Sequence, residues 1–254
     1  MMPEEGRDSF FPDSAKLWVS ACSLWCLLLF VTPLESNQVW GAVFLDEHFE
    51  SLARWHVQPF GDKPRSNYSA VLNEGHRCLL MESNNSASLL VLNQEFNVYK
   101  YPKLSWRWKV SNVYHKGDSS SRDGDDYPAR IYIMFPYDSD HISLVESIKY
   151  RVALASYGPP VPGSSINYIW DNRASNATVI PNAFTDQVQM IPVSAGPSLV
   201  NTWQTYTVDI VSDYRRAFGF DPPPIASLAV MNDSDNTGES SKSWISFVRI
   251  FNSQ

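Results

Sequence analysis

Two short acidic stretches hold the side chains of this sequence that are best suited to chemistry. Asp125 and Asp126 are adjacent, whereas Asp233, Asp235 and Thr237 stand at alternate positions just before a glycine. The second spacing matches the first half of a calcium-binding loop, in which oxygen atoms converge and the glycine permits the turn. We therefore predict Asp233, Asp235 and Thr237 as ligands of a calcium ion. An Asx-rich turn that connects two strands would use the same residue types.

The same carboxylates could also act as an acid and a base. Hydrolysis of a glycosidic bond needs two carboxyl groups at a defined separation, one of them with a raised pKa. Asp125 or Asp126 together with Asp233 or Asp235 offers such a pair, although any acidic loop cluster would offer as much. The five histidines show no ligand spacing, and no nucleophile motif is present. A glycan-active hydrolase or lyase is therefore the alternative hypothesis, and we favour a protein that is not an enzyme.

A predicted strand over residues 129–135 positions the first acidic pair. Apolar and other side chains alternate along it, with the period of a half-buried strand. Its apolar face consists of Ala129, Ile131, Ile133 and Phe135. Pro128 has no N–H group to donate, so it belongs at the entry of the strand, and Asp125 and Asp126 lie on the loop before it. We predict both aspartates and Arg130, on the opposite face of the strand, as ligand-binding residues.

Residues 104–110 form a second alternating stretch, which we predict to pair with that strand. Its apolar face carries Trp106 and Trp108, and this arrangement is more typical of a core than of an exposed sugar platform. Arg107 lies on the opposite face. If the two strands pair, Arg107 and Arg130 can share a carboxylate of the acidic pair, and Arg107 joins the predicted ligand-binding residues.

Polar side chains also follow a strand predicted over residues 166–170. Tyr168 and Trp170 flank an isoleucine, and Asp171 comes directly after them. A carbohydrate-binding module needs an exposed aromatic ring near its polar rim. We therefore predict Tyr168, Trp170 and Asp171 as ligand-binding residues.

The composition favours an all-β fold. Of 254 residues, 44% are hydrophobic and 17 are prolines, so a sizeable core can form from strands. We predict a jelly-roll-like antiparallel β-sandwich with one or two short helices, at 143–154 and at 212–219, the latter capped by Ser212. Residues 225–231 and 244–251 are apolar on both faces and should be central strands. The formal net charge of −7 argues against a nucleic-acid-binding surface.

The first 36 residues are typical of an export segment. Residues 17–34 carry no charge, and their length is at the lower edge of a membrane span. Their position favours a signal peptide cleaved near Ser36, although the preceding residues form an acidic leader. We predict residues 1–36 as an export signal or anchor and 37–254 as a single β-sandwich domain. The expected location is periplasmic or secreted, with membrane anchoring through 17–34 as the alternative.

Five stretches occur in an order that identifies a family. They are LSWRWKV (104–110), GDDYPARIY (124–132), YIWDNR (168–173), DYRRAFG (213–219) and DSDNTG (233–238). Together they resemble the hallmarks of a bacterial domain of unknown function, number 3047, over residues 43–251. The resemblance implies an exported β-sandwich with no established activity, so it carries over no catalytic residue. The two acidic stretches match family motifs, which supports their pairing in one site.

The leading hypothesis is an exported, non-catalytic β-sandwich that binds a carbohydrate or a similar polar ligand. It rests on the all-β pattern, the many aromatic residues and the polar groups at strand ends, and partly on analogy of fold. A structural envelope protein, whose acidic cluster only stabilises the fold, is a further alternative.

Overall fold

The computed structural model describes residues 41–138, 162–174 and 176–252. In these ranges the chain forms thirteen strands and one α-helix of nine residues. The strands are β1 (Val43–Glu47), β2 (Trp55–Pro59), β3 (Asn67–Asn73), β4 (His76–Asn84), β5 (Ser88–Asn97), β6 (Lys103–Val110), β7 (Arg130–Phe135), β8 (Ser164–Asp171), β9 (Ile180–Pro181), β10 (Val188–Ala195), β11 (Gln204–Asp209), β12 (Ile225–Met231) and β13 (Ser240–Phe251). The helix, α1, is Ile210–Phe218.

The strands form two sheets. The six-stranded sheet has the order β11-β6-β13-β4-β3, and β1 also pairs with β13. The seven-stranded sheet has the order β2-β5-β12-β7-β8-β10-β9. The predicted all-β sandwich is therefore confirmed. Its strand pairs are antiparallel except for β8 and β10, which run parallel.

The core lies between the two sheets and is rich in aromatic rings. Trp106 of β6 contacts Tyr168 of β8 with ring centroids 5.2 Å apart, and Trp108 contacts Trp170 at 6.2 Å. All four side chains are buried. The prediction that Trp106 and Trp108 are core residues is confirmed. The exposed sugar platform predicted at Tyr168 and Trp170 is wrong, because these two rings point inward against the tryptophans of the other sheet.

The two central strands predicted from their apolar composition are central. β12 lies between β5 and β7, and β13 lies between β4 and β6. In β7 the alternation is also as predicted, since Ile131, Ile133 and Phe135 belong to the core cluster. Arg130, Tyr132 and Met134 therefore face away from the core.

The predicted pairing of residues 104–110 with 129–135 is wrong. The first stretch is β6, which pairs with β11 and β13 in the six-stranded sheet. The second is β7, which pairs with β8 and β12 in the other sheet. Arg107 therefore cannot share a carboxylate with Arg130, and its guanidinium instead lies 5.0 Å from the ring centroid of Trp203.

The N-cap of helix α1 lies three residues before the predicted one. Its N-cap is Asp209, whose carboxylate accepts the backbone N–H of Ser212 at 2.8 Å, so the predicted Ser212 cap is wrong. The helix stops as predicted at Gly219, whose φ of 83° is the left-handed conformation that glycine adopts without strain. The helix predicted at 143–154 and the N-terminal segment 1–36 lie outside the described residues. Within the described ranges, no helix has the length and apolar character needed to cross a membrane.

Candidate functional site

Four carboxylates meet at one end of the seven-stranded sheet, and we call them the acidic centre: Asp125, Asp126, Asp233 and Asp235. The two sequence segments meet there because β7 and β12 are antiparallel neighbours, with Arg130 opposite Met231. The loop that enters β7 and the loop that leaves β12 therefore lie at the same end of the sheet. The predicted proximity of the two acidic stretches is confirmed for Asp126, Asp233 and Asp235, whose carboxylate oxygens lie within 4.8 Å of one another.

A buried ion pair holds the two loops together. The Nε atom of Arg130 donates to Asp233 Oδ1 at 2.9 Å, and a second guanidinium nitrogen donates to Asp233 Oδ2. The same nitrogen donates to the backbone carbonyl of Asp125. Burial by itself would lower the pKa of the guanidinium, but the Asp233 carboxylate raises the pKa of Arg130 well above its ordinary value. Arg130 and Asp233 thus form a bidentate pair in a buried setting. Burial raises the pKa of the Asp233 carboxyl well above its ordinary value, against the guanidinium of Arg130, which lowers it.

Asp126 is bound by the backbone of the second loop. Its Oδ2 atom accepts the N–H of Thr237 at 2.5 Å and the N–H of Asn236 at 3.1 Å. Burial raises the pKa of the Asp126 carboxyl, against these two N–H groups, which lower it. Thr237, predicted as a metal ligand, donates to the centre through its backbone N–H.

The remaining two carboxylates also have polar partners. Asp125 Oδ2 accepts from the side-chain amide of Asn182 at 2.8 Å, and Asp125 Oδ1 lies 3.7 Å from a guanidinium nitrogen of Arg130. Asp235 forms an ion pair with Lys63. Every carboxylate of the acidic centre is therefore engaged by a cation, an amide or a backbone N–H.

An open groove lies next to the acidic centre, on the outer face of the seven-stranded sheet. Its volume is about 330 Å³. The apolar part of its lining includes Phe60, Ala87, Leu89, Tyr132, Met134, Phe184 and Met231. The polar part includes Gln58, Lys63, Asp125, Arg130, Ser165, Asn167, Asn182, Asp233 and Asp235. Of the predicted ligand-binding residues, Asp125 and Arg130 thus line the groove.

Asp171 lies at the end of β8 and outside the groove. One of its carboxylate oxygens accepts the N–H of Arg173 at 3.4 Å, and within the described part of the chain the other has no hydrogen-bond partner. Burial raises the pKa of this carboxyl. The four ligand residues predicted on β6 and β8 (Arg107, Tyr168, Trp170 and Asp171) are therefore separate from the groove.

Sequence reasoning missed the amide side chains of the groove. Asn167 lies on β8 opposite Tyr132 of β7, and Asn182 follows β9. A signal for Asn167 was present, since it is the one amide in the predicted strand 166–170 and lies on the face opposite Tyr168 and Trp170. No comparable signal marks Asn182, because it belongs to a loop that reaches the groove only in the folded chain.

The fold and the site define a class: an all-β sandwich with an internally paired acidic centre beside an open groove on the outer face of one sheet. This chain belongs to the family described as "Protein of unknown function (DUF3047)", whose model matches residues 53–249. The resemblance found in the sequence motifs is thereby confirmed. A search of curated protein sequences finds no match.

Solved structures resemble the chain at low levels of identity. A laminarinase from Flavobacterium sp. UMI-01 has a TM-score of 0.43 and 10% identity, covering 83% of this chain and 100% of its own. The carbohydrate recognition domain of Emp47p has a TM-score of 0.41 and 15% identity, covering 80% of this chain and 90% of its own. A bacteriophage CBA120 tailspike protein 4 domain has a TM-score of 0.37 and 9% identity, covering 81% of this chain and 20% of the tailspike chain. Likeness at this level identifies neither a ligand nor an activity.

Proposed function

We propose that this chain is a non-catalytic binding protein that holds a carbohydrate, or a similar polar ligand, in the groove. The observation that carries the proposal is that aromatic rings and amide side chains line one cavity. Tyr132 supplies a ring near the amide of Asn167, its partner across the β7–β8 pair. A sugar ring has apolar C–H faces and polar hydroxyl edges, so it can pack against the ring and bond to the amide at the same time.

The partners of the acidic centre support binding without catalysis. Glycoside hydrolysis needs one carboxyl that gives a proton to the ligand and a second that attacks it or activates water. Asp233 is held by the buried guanidinium of Arg130, and Asp126 accepts two backbone N–H groups of the facing loop. These contacts use the carboxylate oxygens to fix the loops that form one wall of the groove.

The test is calorimetric titration of the protein with a panel of neutral oligosaccharides. The variant Tyr132→Ala removes the ring from the groove, whereas Tyr99→Ala is a matched control, because Tyr99 is 46% exposed and bonds to Pro222 away from the groove. We expect Tyr132→Ala to weaken binding at least about tenfold, which is about 1.4 kcal/mol, and the control to bind as the wild type does. A panel without any binder, or equal binding by the two variants, would overturn the proposal.

A calcium ion is a second candidate ligand, because three carboxylate oxygens lie within 4.8 Å of one another. Asp126, Asp233 and Asp235 supply the oxygens, and the cations beside them are those of Arg130 and Lys63. Calcium prefers several such oxygens. Calcium that binds only the folded chain raises the thermal unfolding midpoint. We expect a higher midpoint in calcium than in chelator, and a smaller difference for Asp235→Asn than for the exposed control Asp62→Asn. Equal midpoints in calcium and chelator would exclude this ligand.

The location of the protein is part of the proposal. Residues 1–36 would direct the chain to the periplasm or the exterior, leaving 37–254 as the functional domain. Fractionation of cells followed by N-terminal sequencing tests this: a mature chain that begins near Ser36 supports cleavage. An intact N-terminus in the membrane fraction would show anchoring through residues 17–34, and an intact soluble chain inside the cell would refute export.

A further inference from the structure

Two residues that line the groove each have a buried polar atom with no hydrogen-bond partner within the described residues: Asn167 Nδ2 and Asp125 Oδ1. Asn167 is buried on β8, and only its Oδ1 atom is used, accepting from the Ser165 hydroxyl at 3.1 Å. The contact of Asp125 Oδ1 with Arg130, at 3.7 Å, is too long for a hydrogen bond. Buried polar atoms in native proteins are nearly always bonded to protein, water or ligand, so these two atoms have bonding capacity that a bound ligand could use.

The two atoms are complementary to a hydroxyl group. Asn167 Nδ2 is a donor and Asp125 Oδ1 is an acceptor, and a hydroxyl can both accept and donate. Tyr132 lies opposite Asn167 across the strand pair, and its own hydroxyl contacts the sulfur of Met231 at 3.6 Å, which is a weak acceptor. A ligand with neighbouring hydroxyls can therefore satisfy polar groups on both strands.

The charges of the groove oppose an anionic ligand. Asp125, Asp233 and Asp235 line it, and the cations among its described lining residues are Arg130 and Lys63. Both cations form ion pairs with carboxylates of the acidic centre. A carboxylate, sulfate or phosphate group on the ligand would face Asp125 while these cations are engaged, and juxtaposed like charges cost binding free energy.

We propose that the groove selects an uncharged sugar over its anionic counterpart. Asn167 Nδ2 donates to one hydroxyl of the sugar, and Asp125 Oδ1 accepts from a hydroxyl and excludes uronic acids. This inference rests on the proposed function, since it names the ligand class of the same groove. In this proposal Asp125 determines the preference for a neutral over an anionic sugar. Asn167 strengthens the binding of both sugars equally.

The test compares sugars that differ only at the sixth carbon: glucose with glucuronate, galactose with galacturonate, and mannose with mannuronate. Each pair is titrated into the wild type, Asp125→Asn and Asn167→Leu, with Asp62→Asn and Asn93→Leu as controls at exposed positions. For the pair that binds, we expect the wild type to prefer the neutral sugar by at least about tenfold. Asp125→Asn keeps an acceptor oxygen and loses the charge, so the preference should fall to about twofold or less. Asn167→Leu should weaken both sugars about tenfold and leave their ratio unchanged.

The outcomes separate this inference from the proposed function. If no neutral sugar or oligosaccharide binds the wild type, both fail. If sugars bind but the neutral and anionic forms bind equally, or Asp125→Asn leaves the preference intact, the charge selection is wrong and the binding function stands. Circular dichroism checks that each variant is folded. If Asn167→Leu does not fold, the ratio of neutral to anionic sugar affinity in Asp125→Asn alone tests the charge selection.

Discussion

The ion pair between Arg130 and Asp233 should contribute far more to stability than an exposed pair of the same geometry. The variant Arg130→Met keeps an unbranched apolar chain and removes the guanidinium. It leaves the Asp233 carboxylate with one remaining bond, from the backbone N–H of Tyr127 at 3.2 Å, and it leaves the Asp125 carbonyl without its donor. Removing one partner of a buried pair typically costs about 3–5 kcal/mol of unfolding free energy, and we expect a loss in that range.

The chain provides its own matched control. Arg249 and Asp46 form a second bidentate pair, with distances of 3.1 Å and 2.9 Å, but their side chains are 22% and 40% exposed. Because solvent screens the charges of such a pair, Arg249→Met should cost less than about 1 kcal/mol. The difference between the losses of unfolding free energy in the two variants therefore measures how burial changes the contribution of an Arg–Asp pair.

Urea denaturation, monitored by tryptophan fluorescence, measures the free energy of unfolding of both variants. The same measurement is made on Asp233→Asn and on the double variant Arg130→Met/Asp233→Asn. The double variant removes both charges, and the asparagine oxygen can still accept from Tyr127. We expect its loss of stability to be smaller than the sum of the two single losses by at least about 2 kcal/mol, as is typical of residues in direct contact. A loss below about 1 kcal/mol for Arg130→Met, or additive single losses, would refute the reasoning.

Three further predictions concern the helix, the acidic centre and the core. Asp209→Ala removes the N-cap of α1 and should cost about 1 kcal/mol in urea denaturation, whereas Ser212→Ala should be close to neutral; the reverse order would contradict the observed cap. Burial raises the folded-state pKa of Asp126 above its ordinary value of 3.8, so its contribution to stability is full at lower pH and is lost as the pH rises through the folded pKa. The stability of Asp126→Asn relative to the wild type should therefore increase as the pH rises from about 4 to 7, and a flat difference would refute this sign. Tyr168→Phe removes a buried hydrogen bond of 2.8 Å to Asp213 and should cost about 1 kcal/mol without changing sugar affinity in titrations, whereas a loss of binding would return Tyr168 to the ligand site.

Local alternation was enough to assign the faces of several strands. In β7, the positions of Ile131, Ile133 and Phe135 relative to Arg130 follow from a period of two, which depends only on neighbouring residues. The same reasoning placed the two acidic stretches at strand ends. Their meeting follows from the β7–β12 pair, which brings together segments about a hundred residues apart in the sequence.

The partners of each strand could not be predicted in the same way. β6 and β7 both alternate, and nothing in their local pattern says that they belong to different sheets, because pairing is decided by contacts between distant segments. The tyrosine and tryptophan of β8 show a second limit. Tyr168 has a polar hydroxyl, yet that hydroxyl is satisfied by Asp213 inside the core, so an aromatic residue with a polar tip does not indicate exposure.

The groove combines several segments of the chain, and it therefore could not be predicted from the sequence. Asn167 is on β8, Asn182 follows β9, and Phe60 and Lys63 follow β2. Each of these residues is unremarkable in its own stretch. They become one cavity only because β2, β5, β12, β7 and β8 lie side by side in that order.

The place of β13 in the six-stranded sheet also limits when that sheet can be completed. β13 pairs with β1, β4 and β6, and each of these strands precedes it in the chain, with Ser240 opposite Asn84 and Phe251 opposite Val43. Until β13 is available, β4 and β6 have an open edge where it will lie, and such edges can pair with other chains. Contacts between segments so far apart also form slowly, because a long loop must close before any of them is gained. A chain in which β13 has not yet paired therefore cannot complete this sheet, and its unpaired strand edges are open to association with other chains.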